Sequence, residues 1–164
     1  APCGCSEFFD GWCLTSAAMV ETVRLGGQLA VYLLSCVAKK RDAPCAARHL
    51  YQSALFKKAR AYAEPRAEKW WILSAEHGLV DPDEVIAPYD KTLNNMPIAA
   101  RREWAERVWN KLIPTLKPGE EVVFLAGARY RVDLETRLED AGFKVSVPMR
   151  GLQIGYQLSW LGRQ

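Results

Sequence analysis

Apolar positions fall into two kinds of run along the chain. The first kind is short and continuous: Leu29–Ser35 (LAVYLLS), Trp70–Ser74 (WWILS), Glu121–Ala126 (EVVFLA) and Phe143–Val147. Such runs suit strands buried on both faces of a parallel sheet. The second kind recurs at helical spacing. Ser53 is placed to N-cap a helix to about Ala63, with Leu55, Phe56, Ala59 and Tyr62 along it. Ile98–Leu116 puts Trp104, Val108, Leu112 and Ile113 on one face, and Pro118-Gly119 breaks it. Tyr130–Ala141 turns Val132, Leu134 and Leu138 inward and ends at Gly142. Pro148 closes the fourth strand, and Gly151–Leu161 reads as a short terminal helix. Cys36–Ala47 and Ala75–Pro97 lack a period and read as loops; a loop as long as the second is often functional.

Strands alternating with helices predict an α/β domain, a three-layer αβα arrangement around a mainly parallel central sheet of about four strands. Ligands of such sheets bind beyond the carboxyl ends of the strands. Here those ends are Ser35–Arg41, Ser74–Gly78, Ala126–Arg131 and Pro148–Gly151, which are also polar and largely non-periodic. Residues 29–164 form this single domain. Residues 1–28 follow no such pattern and are expected to be an extension, non-native or poorly packed, with Met19 a candidate start. Cys3, Cys5 and Cys13 in it lack the fourth ligand that structural zinc takes, so no metal or other cofactor is expected.

Composition narrows the class further. With 49% hydrophobic and 25% charged residues, disordered and collagen-like chains are excluded. No apolar run approaches the ~18 residues of a membrane span. Five cysteines cannot pair completely, which favours free thiols and a cytoplasmic protein, expected to be a monomer. The net charge of +3 decides little, but its distribution is uneven. Residues 38–70 carry nine Lys and Arg against Asp42, Glu64 and Glu68, whereas residues 71–100 carry five acids against Lys91. A basic segment beside an acidic one suits a site that holds an anion and does carboxylate chemistry; two solvated faces are the plain alternative.

Each strand end then offers candidates. After the first strand, Lys39, Lys40 and Arg41 suit a phosphate backbone or an anionic leaving group, or simply form a solvated turn. Cys36 reads better as a small buried residue than as a nucleophile. Arg48–Ser53 with Lys57 and Lys58 is a candidate phosphate clamp or a plain helix cap. At Ser74–Leu79, Glu76 and His77 are a candidate base and electrostatic stabiliser; the alternative is a helix-starting acid beside a surface histidine. Pro88 fixes a turn for Tyr89 and Asp90, which can stack on a base and position a water, unless Asp90 merely caps a short helix through Leu93. In Ala126–Arg131, Gly127 permits close backbone approach while Arg129 and Tyr130 bind phosphate and stack. Walker, dinucleotide, HExxH, paired CxxC and GxSxG motifs are absent.

The stretches SCVAKKRDAPCAARHLYQSALFKKARAYAE, WWILSAEHGLVDPDEVIAPYD, VVFLAGARYR and MRGLQIGYQLSWL together resemble a prokaryotic domain family over roughly residues 29–161. That family is similar to the uracil-DNA-glycosylase-like domains attached to archaeosine-tRNA enzymes, and more remotely to peroxide-stress DNA-binding proteins. Its members associated with phage defence resemble glycosylases acting on modified phage bases, including glucosylated hydroxymethylcytosine. The resemblance implies a uracil-DNA-glycosylase-like fold, no metal, and phage DNA as partner. The water-activating motif of uracil glycosylases is not recognisable in this chain.

Two function classes follow. A glycosylase flips its nucleotide into a pocket and needs catalytic groups, for which Asp90, Glu76, His77 and Lys39 are candidates, Lys39 by covalent attack. Ser35, Cys36, Tyr51, Ser74, Tyr89, Gly127 and Tyr130 are candidates around the base. Lys40, Arg41, Ser53, Lys57, Arg129 and Arg150 are candidates at the phosphates. A non-catalytic DNA-binding module uses the same basic segment but has little use for acids beside it, since they repel DNA.

Overall fold

A computed structural model describes residues 30–164. The N-terminal extension, with Met19 and the cysteines Cys3, Cys5 and Cys13, lies outside the described residues. In chain order the elements are β1 (Ala30–Ser35), β2 (Cys45–Ala46), α1 (Ala47–Leu50), α2 (Ala54–Ala63), β3 (Lys69–Ser74), β4 (Gly78–Val80), β5 (Val85–Ile86), α3 (Ile98–Leu112), β6 (Glu121–Leu125), α4 (Ala128–Asp140), β7 (Lys144–Ser146) and α5 (Ile154–Gly162). Single 3-10 turns occur at Leu93–Asn95 and Ile113–Thr115.

The main sheet has five strands in the order β4-β3-β1-β6-β7. β1 sits in the middle, parallel to β3 on one side and β6 on the other, with Leu33 opposite Trp71 and Phe124. Leu33 and Leu34 are both fully buried although they point to opposite faces, which is why β1 reads as a continuous apolar run. β7 extends the sheet in parallel beyond β6, and β4 adds an antiparallel edge to β3.

The crossover from β1 to β3 runs one way along the sheet, and the crossover from β3 to β6 runs back across β1. Right-handed crossovers of opposite direction place their helices on opposite faces. Accordingly α2 packs with β1 and α5, while α3 packs with α4 and β4. This is the α/β architecture the run pattern predicts. Among the described residues no helix is long and apolar enough to cross a membrane.

Differences from the sequence reading have local causes. The fifth strand, β4, comes from the stretch read as a loop; three residues show no period, and pairing with β3 defines it. The small ladder of β2 with β5 arises the same way and folds both presumed loops onto each other. The third helix stops its α-type bonding at Leu112 and finishes as a 3-10 turn containing Pro114, which lacks the N–H to continue it. Val132, expected inward, is 51% exposed. Tyr130, Leu134 and Leu138 define the buried stripe at intervals of four, and two residues further on is roughly 200° around the helix.

Buried Glu135 on α4 accepts bonds from Arg131 one turn below and from Arg150 on the segment after β7. Burial alone raises a carboxyl pKa, but the two guanidinium groups outweigh it and hold Glu135 below its ordinary value. The folded pKa is the lower one, so this contribution to stability is present above the unfolded value and lost as pH falls through the folded one. Denaturant unfolding between about pH 5 and pH 2 should show a steeper acid loss of stability in the parent than in Glu135→Gln. Equal acid dependence would mean that the tether contributes nothing.

Candidate functional site

The carboxyl end of β3 is a polar point inside the core. Ser74 is fully buried. Its carbonyl accepts from Trp104 Nε1 at 2.8 Å, and its Oγ accepts from the His77 amide at 3.0 Å. The same Oγ donates to Tyr89 Oη at 2.8 Å, and Tyr89 shares a further hydrogen bond with Tyr51 Oη at 2.9 Å. A buried hydroxyl left unpaired costs about 1–3 kcal/mol, so a satisfied trio fixes the register of the long segment over the sheet edge. Burial pushes the Tyr51 and Tyr89 phenols well above the ordinary range, and burial with the nearby Cys36 takes Tyr130 up to about 12.

The loop after β1 is pinned in strand-like fashion to the link between α1 and α2. Arg41 donates its amide to the Leu50 carbonyl, Gln52 donates to that of Lys39, and Lys40 bridges to Tyr51. Side chains alternate along such a segment. Lys39 and Arg41 are therefore exposed while Lys40 is half-buried, its Nζ 4.2 Å from the Tyr89 ring centroid. That cation–π contact contributes about 0.5–2 kcal/mol and holds the ammonium at the site. The edge of the Tyr89 ring also meets His77 at 5.4 Å.

Between the ends of β1 and β6 lies a cavity of about 410 Å³. The β1 end contributes Ser35, Cys36, Val37, Ala38 and Lys40. Gly127 and Tyr130 enter from the start of α4, Leu55 from α2, and Ile154 and Gln157 from α5. Asp90, Lys91, Thr92 and Asn94 close it from the long segment. This is the switch point of the sheet, where successive crossovers leave in opposite directions and ligands of α/β proteins bind. Tyr130 Oη accepts from Cys36 Sγ at 3.4 Å and from the Leu93 amide at 3.3 Å, tying three walls together. Gln157 donates its Nε2 to the Leu152 carbonyl at 2.7 Å. That carbonyl only accepts, so the amide's orientation is set and Oε1 remains as an acceptor.

The structure thus brings Asp90, Lys40, Ser35, Cys36, Gly127 and Tyr130 to one cavity. Cys36 is buried, as its residue type suggests. Of the two candidate acids, Asp90 lies in the lining, whereas Glu76 is in the β3–β4 turn, ion-paired to Lys91 at 3.1 Å. Neither plain alternative for these acids is what the chain does. Glu76 starts no helix, and the turn at Leu93–Asn95 is capped by Thr92.

Other candidates need correction. Tyr51 and Ser74 are 1% and 0% exposed and cannot touch a ligand; they hold Tyr89 in place. Lys39 lies outside the cavity lining, and alternation gives its neighbour Lys40 that place. Ser53 caps α2 by accepting from the Phe56 amide, and Arg150 is bound to Glu135. Lys57, exposed on α2, and Arg129, in a separate groove, lie outside the cavity, which leaves their reading as phosphate candidates as it was. Asn94, Thr92 and Gln157 were not legible in the sequence: lone amides and hydroxyls in a loop and an apolar helix carry no pattern. Among the described residues no group of three His, Cys, Asp or Glu side chains is placed to hold a metal ion.

The model of a family of unknown function, DUF6884, matches residues 31–163. The chain belongs to that family. Within the DUF6884 match fall all the walls of the cavity, from Ser35 to Gln157. The uncharacterized protein YfjM of Bacillus subtilis (strain 168) is 29% identical over 128 residues, covering 73% of this chain and 80% of that protein. No solved structure gives a significant match.

The tyrosine cluster makes a measurable demand on this DUF6884 fold. Its phenols hold their protons more tightly than the unfolded chain does, so stability is intact below the ordinary phenol pKa of ~10 and falls as pH rises above it. In a titration that follows phenolate absorbance and circular dichroism together, Tyr51, Tyr89 and Tyr130 should ionise only as the fold is lost. Ionisation of all six tyrosines near pH ~10 with the fold intact would show the cluster open to water.

Proposed function

We propose that the protein is a DNA glycosylase. It takes a modified base, such as the glucosylated hydroxymethylcytosine of phage DNA, out of the duplex and hydrolyses its N-glycosidic bond to leave an abasic site, a defence against phage. The observation that carries this reading is the cavity at the switch point, walled by the free-standing acid Asp90, the unpaired Lys40 beside a Lys91 that is ion-paired to Glu76, and two amides. Its volume of about 410 Å³ lies in the range of small-molecule sites and suits a base with part of its sugar. The resemblance to uracil-DNA-glycosylase-like domains supports the same reading, and with it a fold of that kind.

The roles follow from position. Flipping a nucleotide costs a few kcal/mol of unstacking, which the pocket must return in contacts. Gln157 Oε1 accepts from an exocyclic amino group, which favours a cytosine derivative over uracil or thymine. Asp90 stabilises the oxocarbenium-like sugar and orients the attacking water. Lys40 offsets the negative charge that grows on the departing base. The water adds its oxygen to the sugar carbon, and the base leaves with the bonding electron pair and takes up a proton. Tyr89 acts through Lys40, whose ammonium it holds.

A carboxylate opposite a forming oxocarbenium acts in the transition state, so its removal lowers turnover more than affinity. Asp90→Asn should therefore release base from modified DNA about 10²–10⁴-fold more slowly, the usual range for such groups, while binding that DNA at least as tightly. Counting abasic sites in a single-turnover assay measures the first, and fluorescence anisotropy the second. A variant that cleaves at the parent's rate excludes Asp90. A parent that binds DNA but releases no base from any modified substrate makes the protein a binding module instead.

The two lysines separate cleanly. Lys40→Ala should slow base release strongly at saturating DNA, and Lys39→Ala should only weaken binding and reduce its salt slope by roughly 0.9 per lost phosphate contact. Borohydride trapping of a covalent complex through Lys39 would reverse that assignment.

A further inference from the structure

The first turns of α3 and α4 lie side by side and frame a second groove of about 340 Å³. Ile98, Arg101 and Arg102 line it from α3, and Arg129, Val132 and Asp133 from α4. Neither helix has a side-chain cap or an acid in its first turn. A helix start carries partial positive charge from its free amides, so acids stabilise it and cations do not. Arg129, the second residue of α4, is the reverse of what that helix start favours, and Arg101 and Arg102 follow the first turn of α3. Nor does the fold neutralise them. Arg101, Arg102 and Arg129 form no ion pair with a described residue, and neither do Arg41, Arg66, Arg107 and Arg163, but only the first three share one groove. Ile98 and Val132, 60% and 51% exposed, leave apolar walls beside them. A bound anion would offset the cost at Arg129 and the mutual repulsion of the three guanidinium groups.

We propose that this groove carries the phosphates of the DNA strand that flanks the nucleotide in the cavity, an inference that rests on the glycosylase reading of that cavity. One turn of chain belongs to both places. Gly127 and Tyr130 wall the cavity, and Arg129 between them lines the groove. A strand leaving the cavity across this turn passes into the groove, where guanidinium forks match phosphate oxygens in pairs and the apolar walls accept ribose. The single acid of the lining, Asp133, is outnumbered by three arginines.

The test is the salt dependence of DNA binding by the full chain carrying Arg101→Ala and Arg102→Ala. Labelled duplex and single-stranded oligonucleotides, modified and unmodified, serve as probes. The double variant should bind all of them more weakly and lose roughly 1.5 units of slope in log affinity against log salt, two phosphate contacts. Base release at saturating DNA should stay at the parent's rate, because neither residue lines the cavity. The melting temperature should hold, since neither residue is buried or ion-paired with a described residue and alanine is the better helix former. Unchanged affinity and slope would overturn the proposal. So would a variant that loses binding to polyglutamate but not to DNA, which would make the groove a docking surface for acidic protein segments. Failure of the glycosylase reading looks different: the parent binds DNA with the Arg101- and Arg102-dependent slope yet releases no base.

Discussion

The direction of two crossovers governs the molecule. From the central strand β1 the chain first moves outward to β3 and then returns past β1 to β6. Right-handed connections then put α2 on one face and α3 with α4 on the other. At the carboxyl ends of β1 and β6 the chain therefore departs to opposite sides, and no helix can cover the seam between them. Ser35, the last residue of β1, and Gly127, two residues beyond β6, both line the resulting cavity. The opening is a consequence of topology, and the side chains around it decide only what it holds.

An opening of this kind needs a lid that does not collapse into it. The long segment from β4 to α3 supplies one, and Ser74 is its anchor. This hydroxyl takes the bend of the β3–β4 turn through the His77 amide and passes a hydrogen bond to Tyr89, while its carbonyl receives Trp104 from α3. Each bond contributes only about 1 kcal/mol net, yet each is costly to leave unmade inside the core. The network thus acts as a constraint more than as an energy source. With Tyr89 fixed, Asp90 and Thr92 beyond it take defined places in the cavity wall, and Tyr130 Oη holds the following turn through the Leu93 amide.

The parts of this arrangement that were legible in the sequence are those with a period or a long apolar run. The four parallel strands, the helices at Ser53, Ile98 and Tyr130, and the edge of the sheet where the cavity opens all follow from such runs. Contacts between distant loops have no such signature. Nothing in SCVAKKRDA says that Lys40 and not Lys39 turns inward; that is decided by the bridge between Lys40 and Tyr51, eleven residues away. Nothing in YQLSW marks Gln157 as a polar wall, because its orientation depends on the Leu152 carbonyl across a turn. Tyr51 and Ser74 were legible as important but not as buried, since a polar residue at a strand end or helix link looks the same whether it faces solvent or closes a network.

The charges are sorted in a way that bears on the proposed chemistry. An acid beside a phosphate-binding surface weakens binding, so a DNA-binding protein that retains one must gain from it elsewhere. Here Glu76 is neutralised by Lys91, Glu135 by two arginines and Glu64 by Arg48 and Arg60. Asp90 is the carboxylate that stands in the cavity, with the ammonium of Lys40 in the same lining and the uncompensated arginines outside it. Under the glycosylase reading these are separate tasks. Cations outside draw in the backbone without regard to sequence. At the cavity the acid faces the charge that grows on the sugar and the ammonium that on the departing base. A module that merely bound DNA would gain from the first set and lose by the acid of the second, so an acid-bearing cavity beside a basic groove is the arrangement that the glycosylase reading requires.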